Sequence, residues 1–363
     1  MSADWTKRQS QAIDLLRFPM AAAVVVLHYS LTQMSNATGS LRMLCIFFQE
    51  GICRLAVPCF FFISGYLFFH QLQIWNRSIW LEKLKRRIHT LLIPYILWII
   101  IDFFAYWFYA LFQGNAIPLW VQFVKLGGIK IFWSVNGGIP LGIRGVPLNG
   151  SLWFIRDLMF FNIAAPLIHL FVTKSKHFGI LVVCSVFLTF QGIIPEGFVF
   201  YLAGAYLQIA KKNISQIVWP KRKILYVTSF FLLIALSLLI ETPFWGRFIK
   251  NLFLFVGIGS IFCISISLSG KTRINPFLVR SSFFIFATHE ILILRQIAIP
   301  LVNRIPFCGP GWDCIRFFLT PTLTVCICLV LLYLMEQLLP RTTSILIGRN
   351  CKGNYIPVVH KLD

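Results

Sequence analysis

The sequence is short of acid. Twelve Asp and Glu stand against 33 Lys and Arg in 363 residues, and charged side chains of both signs make up only 12%, about half the share in an ordinary soluble domain. There is no GxGxxG or Walker-type loop, so a nucleotide-binding fold is not indicated. The ten cysteines include no CxxC pair and show no metal-ligand spacing with histidine, which leaves a thiol-redox motif or a metal centre without support. No internal repeat, linker or low-complexity stretch interrupts the chain, so residues 1–363 read as one domain. The first apolar segment has no small-residue cleavage site behind it and carries Asp14, Arg17 and His28. It is expected to remain as a span and not to be removed as a signal.

What is abundant is apolar surface. Hydrophobic residues are 58% of the chain and mean hydropathy is +0.78, more than a soluble core can absorb. Runs near the roughly 20 residues that a bilayer-spanning helix needs recur from end to end. Ten are counted, at 13–33, 45–69, 89–112, 152–172, 177–194, 198–210, 224–241, 248–269, 278–301 and 315–339. The expected fold is an all-α, multi-pass protein of the cell (inner or plasma) membrane.

Basic residues sort by side of this arrangement. With the N-terminus cytoplasmic, the inside segments hold 21 Lys and Arg and the outside segments eight. The positive-inside rule then supports an even count with both termini cytoplasmic, 340–363 being a cytoplasmic tail. The short sixth span is needed to keep the alternation. The same sorting accounts for the +21 formal charge through lipid topology, without a nucleic-acid partner. The connection 113–151 falls outside and is too long for a plain connector. It is expected to lie on the membrane surface or re-enter it over a site, as a loose lid or a passive loop. Cys308 and Cys314 share a polar turn with Pro306, Gly309, Pro310 and Gly311 and could pair there on an oxidising side.

Ionisable groups at membrane depth are costly unless paired or hydrated, so each is a functional candidate. On the first span Asp14, Arg17 and His28 share a helical face. Arg17 and His28 are 11 residues apart, roughly 16 Å along the axis, with Ala21, Ala22 and Ala23 between them allowing close packing. That puts Arg17 near the cytoplasmic boundary and His28 in the outer half. Glu50, Arg54, Asp102, Arg156, Asp157, His289, Glu290 and Arg295 are the remaining intramembrane groups, and about half of them are expected to be structural ion pairs. His289, near mid-span, is the strongest candidate after His28. The densest basic cluster, Lys83, Lys85, Arg86, Arg87 and His89, fits anionic lipid or the phosphates of a nucleotide-like donor.

These residues resemble a known family. Arg17 and Phe18, the small and aliphatic run and His28 are similar to the first-span signature of the acyltransferase-3 family of membrane O-acyltransferases. Pro58 to Leu67, with its Phe60-Phe61-Phe62-Ile63-Ser64-Gly65-Tyr66-Leu67, resembles that family's second-span stretch. The basic run into Leu92-Ile93-Pro94-Tyr95, Leu152-Trp153-Phe154 at the fourth span, and Ser281-Ser282-Phe283 through His289 match its later segments in order. The resemblance implies no bound cofactor but a cytoplasmic acyl-coenzyme A co-substrate, with acetyl the expected group. It also implies an acceptor hydroxyl on a sugar, a polysaccharide or a lipid-linked sugar. It assigns an essential histidine to His28, a functional arginine to Arg17, and donor contacts to the run containing Lys85, Arg86 and Arg87. One departure is that Arg86 is followed by His89 where many members carry a second arginine. Some members append a hydrolase-like domain, whereas this sequence runs about 24 residues past the last span; transfer is expected to be completed by the membrane domain or a separate partner.

A hydroxyl is a poor nucleophile at neutral pH, and imidazole is the side chain suited to take its proton. His28 is the expected base. Arg54, Arg156 or His289 could meet the charge on the thioester oxygen, and Asp102, Asp157 or Glu290 could hold the imidazole tautomer. The rival reading is a proton-coupled transporter of a small anionic solute, which buried His, Arg and acids also suit. No broken-helix repeat in matching halves supports it.

Overall fold

The structure is a computed structural model that describes residues 3–33, 39–115, 117–135, 145–190, 193–272 and 274–349. Gly137, Gly138, Gly142, Arg144, Arg273, Lys352 and Lys361 lie outside the described residues. Among the described residues all regular structure is helical, as expected where backbone groups must bond within their own segment. In chain order the helices are α1 (Ala3–Gln33), α2 (Gly39–Cys45), α3 (Ala56–Phe69), α4 (Arg77–Arg87), α5 (Ile93–Phe112), α6 (Leu119–Lys125), α7 (Trp153–Ile163) and α8 (Ala165–Thr189). There follow α9 (Glu196–Ile209), α10 (Ile214–Val218), α11 (Arg222–Leu239), α12 (Trp245–Leu268), α13 (Pro276–Thr288), α14 (Ile299–Asn303), α15 (Pro310–Leu338) and α16 (Pro340–Leu346). Three π-helical segments, Ile46–Gly51, Ile88–Leu92 and His289–Ala298, interrupt longer rods.

Among the described residues eight helical stretches are long and apolar enough to cross a membrane: Arg8–Tyr29, Gly39–Phe69, Arg77–Phe112, Ala165–Thr189, Ile214–Leu239, Trp245–Leu268, Pro276–Asn303 and Pro310–Leu338. The remaining two of the ten sequence-derived spans fall in α7 to α9. There the helix α8 breaks at Lys176, whose φ of 50° and ψ of −132° are not helical, and α9 has only 14 residues. Lys176, Gln71 and Lys211, which share a positive φ, all sit in connections assigned to the cytoplasmic side. Sequence marks the starts as well. Asn76 accepts from the backbone N–H of Ser78 and Ile79 at 3.0 and 3.2 Å, and Asn275 accepts from Phe277 at 2.9 Å ahead of Pro276, satisfying first-turn donors.

Helix α1 lies at the centre, touching α3, α12, α13 and α15. The core around it is rich in phenylalanine, with Phe61 against Phe154 at 4.5 Å and Phe154 against Phe286 at 5.5 Å between ring centres. The periphery is equally apolar. On α11 the residues Ile224, Val227, Phe230, Phe231, Ile234 and Leu238 are exposed and only Leu236 is buried, which suits a helix whose outer solvent is lipid. The chain is thus a multi-pass membrane protein.

Helices α3 and α9 pack closely against one another. A Cβ at Gly65 would collide with the carbonyl oxygen of Tyr201, and one at Gly204 with that of Phe62, so each glycine lets the other helix's backbone come near. Gly65→Ala and Gly204→Ala should each destabilise the detergent-purified protein by about 1–3 kcal/mol through overpacking. Gly311→Ala, at a position with open space around it, should leave the thermal midpoint unchanged. An unaltered midpoint in both glycine variants of the crossing would rule out this contact.

Candidate active site

Helix α13 keeps α-helical hydrogen bonding up to Thr288, and the chain then winds as a π-helix over His289–Ala298. The wider winding decides which side chains meet. In an α-helix residues five apart diverge by about 140° around the axis, but i→i+5 bonding brings them onto one face. Arg295 accordingly donates to Glu290 Oε1 at 2.8 Å across five residues. A buried carboxylate and a guanidinium are paired, and the second oxygen, Oε2, is left for other partners.

Two distant segments supply those partners. From α1, His28 Nδ1 lies 3.4 Å from Glu290 Oε2. From the segment before α7, Ser151 Oγ donates to the same oxygen at 3.0 Å. A carboxylate only accepts, so Nδ1 of neutral His28 carries the hydrogen and Nε2 keeps its lone pair. The imidazole is 19% exposed, which leaves it reachable while its orientation is held. Of the three carboxylates considered on sequence grounds, Glu290 is the one beside His28.

His289 lies against this pair, its ring 5.0 Å from that of His28 and nearly perpendicular to it. Its Nδ1 is 2.9 Å from the carbonyl oxygen of Ile285 and 3.1 Å from that of Phe286. Carbonyls also only accept, so Nδ1 bears the hydrogen and Nε2, buried and without a protein partner, is an acceptor in the neutral ring. In the neutral ring Nε2 thus carries a lone pair, and a donor role there belongs to the protonated ring. Asp102, fully buried, accepts from Asn149 Nδ2 at 2.6 Å, and the same amide reaches the carbonyl of Ala287 at 2.8 Å.

The other candidate residues stand elsewhere. Arg17 pairs with Asp14 at 3.5 Å, and Arg17 and Arg87 lie close enough to act on one another electrostatically. Arg86 is exposed and pairs with Glu82 at 2.7 Å along α4, and Lys85 is exposed. Arg54 pairs with Glu196 at 3.6 Å and Glu50 with Lys250 at 3.4 Å. Arg156 is bound to Asp157 at 2.7 Å and to the carbonyls of Trp133 and Gly145, so it fastens the connection before α7 to that helix. Neither arginine contacts His28 in these pairings. Cys308 and Cys314 are free thiols.

The described parts of the 113–151 connection are not loose. Val135 N–H bonds to Val146 and Leu148 N–H to Ile131, both at 2.8 Å, Tyr95 Oη donates to Phe132 at 2.6 Å, and Ile131, Ser134, Asn149, Ser151 and Leu152 are buried. Residues 145–152 thus form a limb folded into the helix bundle. Asn149 and Ser151 were not among the sequence candidates, and the signal available was only their place directly before Leu152-Trp153-Phe154.

Comparisons with known proteins agree over most of the chain. Residues 10–335 match the model of the acyltransferase-3 family, described as an acyltransferase domain. The chain is 25% identical over 371 aligned residues to the succinoglycan biosynthesis protein ExoH of Rhizobium meliloti (strain 1021), covering 93% of this chain and 92% of that one. No solved structure gives a significant match.

The buried Arg156–Asp157 pair yields a stability test separate from chemistry. Arg156→Met should cost about 3–5 kcal/mol, because the Asp157 carboxylate stays buried without its guanidinium. Adding Asp157→Asn should recover part of the loss in thermal midpoint, and a double variant no more stable than the single one would argue against this pairing.

Proposed function

The chain belongs to the acyltransferase-3 family, and on that premise we propose that this membrane O-acyltransferase moves an acyl group, acetyl being the expected one, from cytoplasmic acyl-coenzyme A to a hydroxyl of a sugar or polysaccharide precursor. Similarity to a succinoglycan biosynthesis protein supports a glycan acceptor. The observation that carries the reading is the imidazole of His28, held through Nδ1 by Glu290 with Nε2 left to act as a base. In the proposed topology ten spans put both termini and the basic run in the cytoplasm of a cell-membrane protein. His28 then lies in the outer half, roughly 16 Å along α1 from Arg17. An extended phosphopantetheine arm is of that order, so phosphates held near Arg17, Lys85, Arg86 and Arg87 would leave the thioester near His28.

In the reaction His28 Nε2 takes the proton of the acceptor hydroxyl as its oxygen bonds to the thioester carbonyl carbon. The carbon–sulfur bond then breaks, the ester is released, and the coenzyme A thiolate takes the proton back from His28. Glu290 holds the tautomer and offsets the imidazolium charge, which favours the state in which that charge develops. Arg295 on the other carboxylate oxygen keeps Glu290 ionised and aligned.

The test is transfer of label from radiolabelled acetyl-coenzyme A to a lipid or polysaccharide fraction by purified protein; solute flux without label transfer would favour a transporter. His28→Gln cannot take a proton at neutral pH, so turnover should fall by at least about a hundredfold in folded protein. Full specific activity in that variant would remove His28 from the mechanism. Changing both Arg86 and Arg87 to Gln should raise KM for acyl-coenzyme A about tenfold or more, given roughly 1.5–3 kcal/mol for each charge-assisted contact; an unchanged KM would return the run to lipid contact. For topology, single cysteines near residues 80 and 215 in a cysteine-free background should resist an impermeant thiol reagent in intact cells, and one near residue 140 should react. The reverse pattern would put the donor site on the wrong side.

A further inference from the structure

Glu290 is a carboxylate whose orientation is set from outside its own helix. Three consecutive residues of the folded-in limb bear on it. Asn149, 1% exposed, uses its amide nitrogen twice, on Asp102 Oδ2 of α5 and on the carbonyl of Ala287 one turn before Glu290. It thereby ties the limb to the two helices that flank the carboxylate. Gly150 has no side chain where one would crowd Glu290, since a Cβ there would stand 3.1 Å from Oε2 and 3.7 Å from Cδ and Oε1. Ser151, also 1% exposed, donates to Oε2 at 3.0 Å, the oxygen that faces His28 Nδ1.

We propose that Asn149, Gly150 and Ser151 are positioning residues that set the Glu290 carboxylate against His28, so that the base is aligned only with the limb docked. The inference rests on the reading of His28 and Glu290 as base and orienting acid. Ser151 and Arg295 hold one oxygen each and leave the carboxylate one free rotation fewer than a single donor would. Gly150 supplies the room, and Asn149 keeps Ser151 at that depth by its bond to Ala287. A limb serving only to fill space would need neither the missing Cβ nor a hydroxyl aimed at the carboxylate.

The mildest variant, Ser151→Ala, removes one hydroxyl and leaves the amide anchors. Its kcat for label transfer from acetyl-coenzyme A should fall about tenfold or more, a hydrogen bond to a charged group being worth at least that factor, with KM for the donor unchanged. Ser151→Thr, which restores the hydroxyl, should recover most of the rate. Gly150→Ala should lose rate in the same pattern. A role through Glu290 makes the effects non-additive: in a Glu290→Gln background Ser151→Ala should cost less than twofold more. A purely structural role would instead lower the folded yield, leave specific turnover intact and add its full effect in that background, and either of the last two results overturns the proposal. The same cycle is read without substrate by the rate at which diethyl pyrocarbonate modifies His28, followed by mass spectrometry. Ser151→Ala and Glu290→Gln should change that rate by similar, non-additive factors, and independent effects would reject the coupling. Because this second readout needs no acceptor or donor, absence of label transfer by the wild type would count against the acyl-transfer function while the coupling between limb and base stays measurable.

Discussion

A bilayer offers no water to a charge at depth, so a carboxylate placed there has to find its donors in the protein. Glu290 does so from three separate parts of the chain: Arg295 on its own segment, His28 from α1 and Ser151 from the limb before α7. Nearly everything around the site answers to that requirement. Central α1 brings an imidazole, residues 145–152 turn into the bundle where a plain loop would have stayed in solvent, and Asn149 fastens them between Asp102 and Ala287. The same rule shapes a second charged group, where Arg54 meets Glu196 and Glu50 meets Lys250. The difference between the two groups is chemical. Arg54, Glu196, Glu50 and Lys250 pair charge with opposite charge, whereas Glu290 spends one oxygen on a cation and the other on an imidazole and a hydroxyl, which leaves a basic nitrogen unspent.

The π-helical winding of His289–Ala298 has a local cost, since its backbone geometry is less favourable than that of the α-helix and such segments are rare. What it secures is a change of phase. At α spacing Arg295 would point away from Glu290, and the carboxylate would need a different cation to remain charged inside the membrane. The extra residue per turn turns a sequence separation of five into a contact. Glu50, in the π-helical segment Ile46–Gly51, and His89, in Ile88–Leu92, fall on the same kind of irregularity. Such winding at ionisable positions argues that it serves to aim side chains and is not incidental strain.

Much of the architecture is legible from residue order because lipid enforces simple rules. Apolar length locates the long helices, and Pro276 after Asn275 marks a helix start through its chemistry. The region from Trp153 to Ile209 is harder to read, since no glycine or proline marks the break at Lys176 and α9 has only 14 residues. At the site, the shared face of Arg17 and His28 is visible from α periodicity, and His289 stands out as a buried imidazole. The choice of Glu290 over Asp102 or Asp157 is not visible, because it depends on a π turn that an α wheel misplaces and on which helix packs on α1. Ser151 and Asn149 are harder still. Two small polar residues in a glycine-rich connection look like any solvated loop until the connection is seen to enter the bundle.

The separation between Arg17 and His28 gives the first span a further consequence. Both residues are on one continuous helix, with Pro19 between them, so their separation is set within α1 and not by which helices pack around it. Arg87 joins Arg17 from a different rod, α4 to α5, and that rod is itself braced by the C-terminal helix, since Trp98 donates to the carbonyl of Leu346 at 3.0 Å and Gly348 lies against Thr90 with no room for a side chain. In the proposed function a donor gripped at the basic end would be measured out along α1, while the limb bears on the other end of the site through Glu290. On that proposal donor and acceptor are handled by separate parts of the chain that meet at the His28 imidazole.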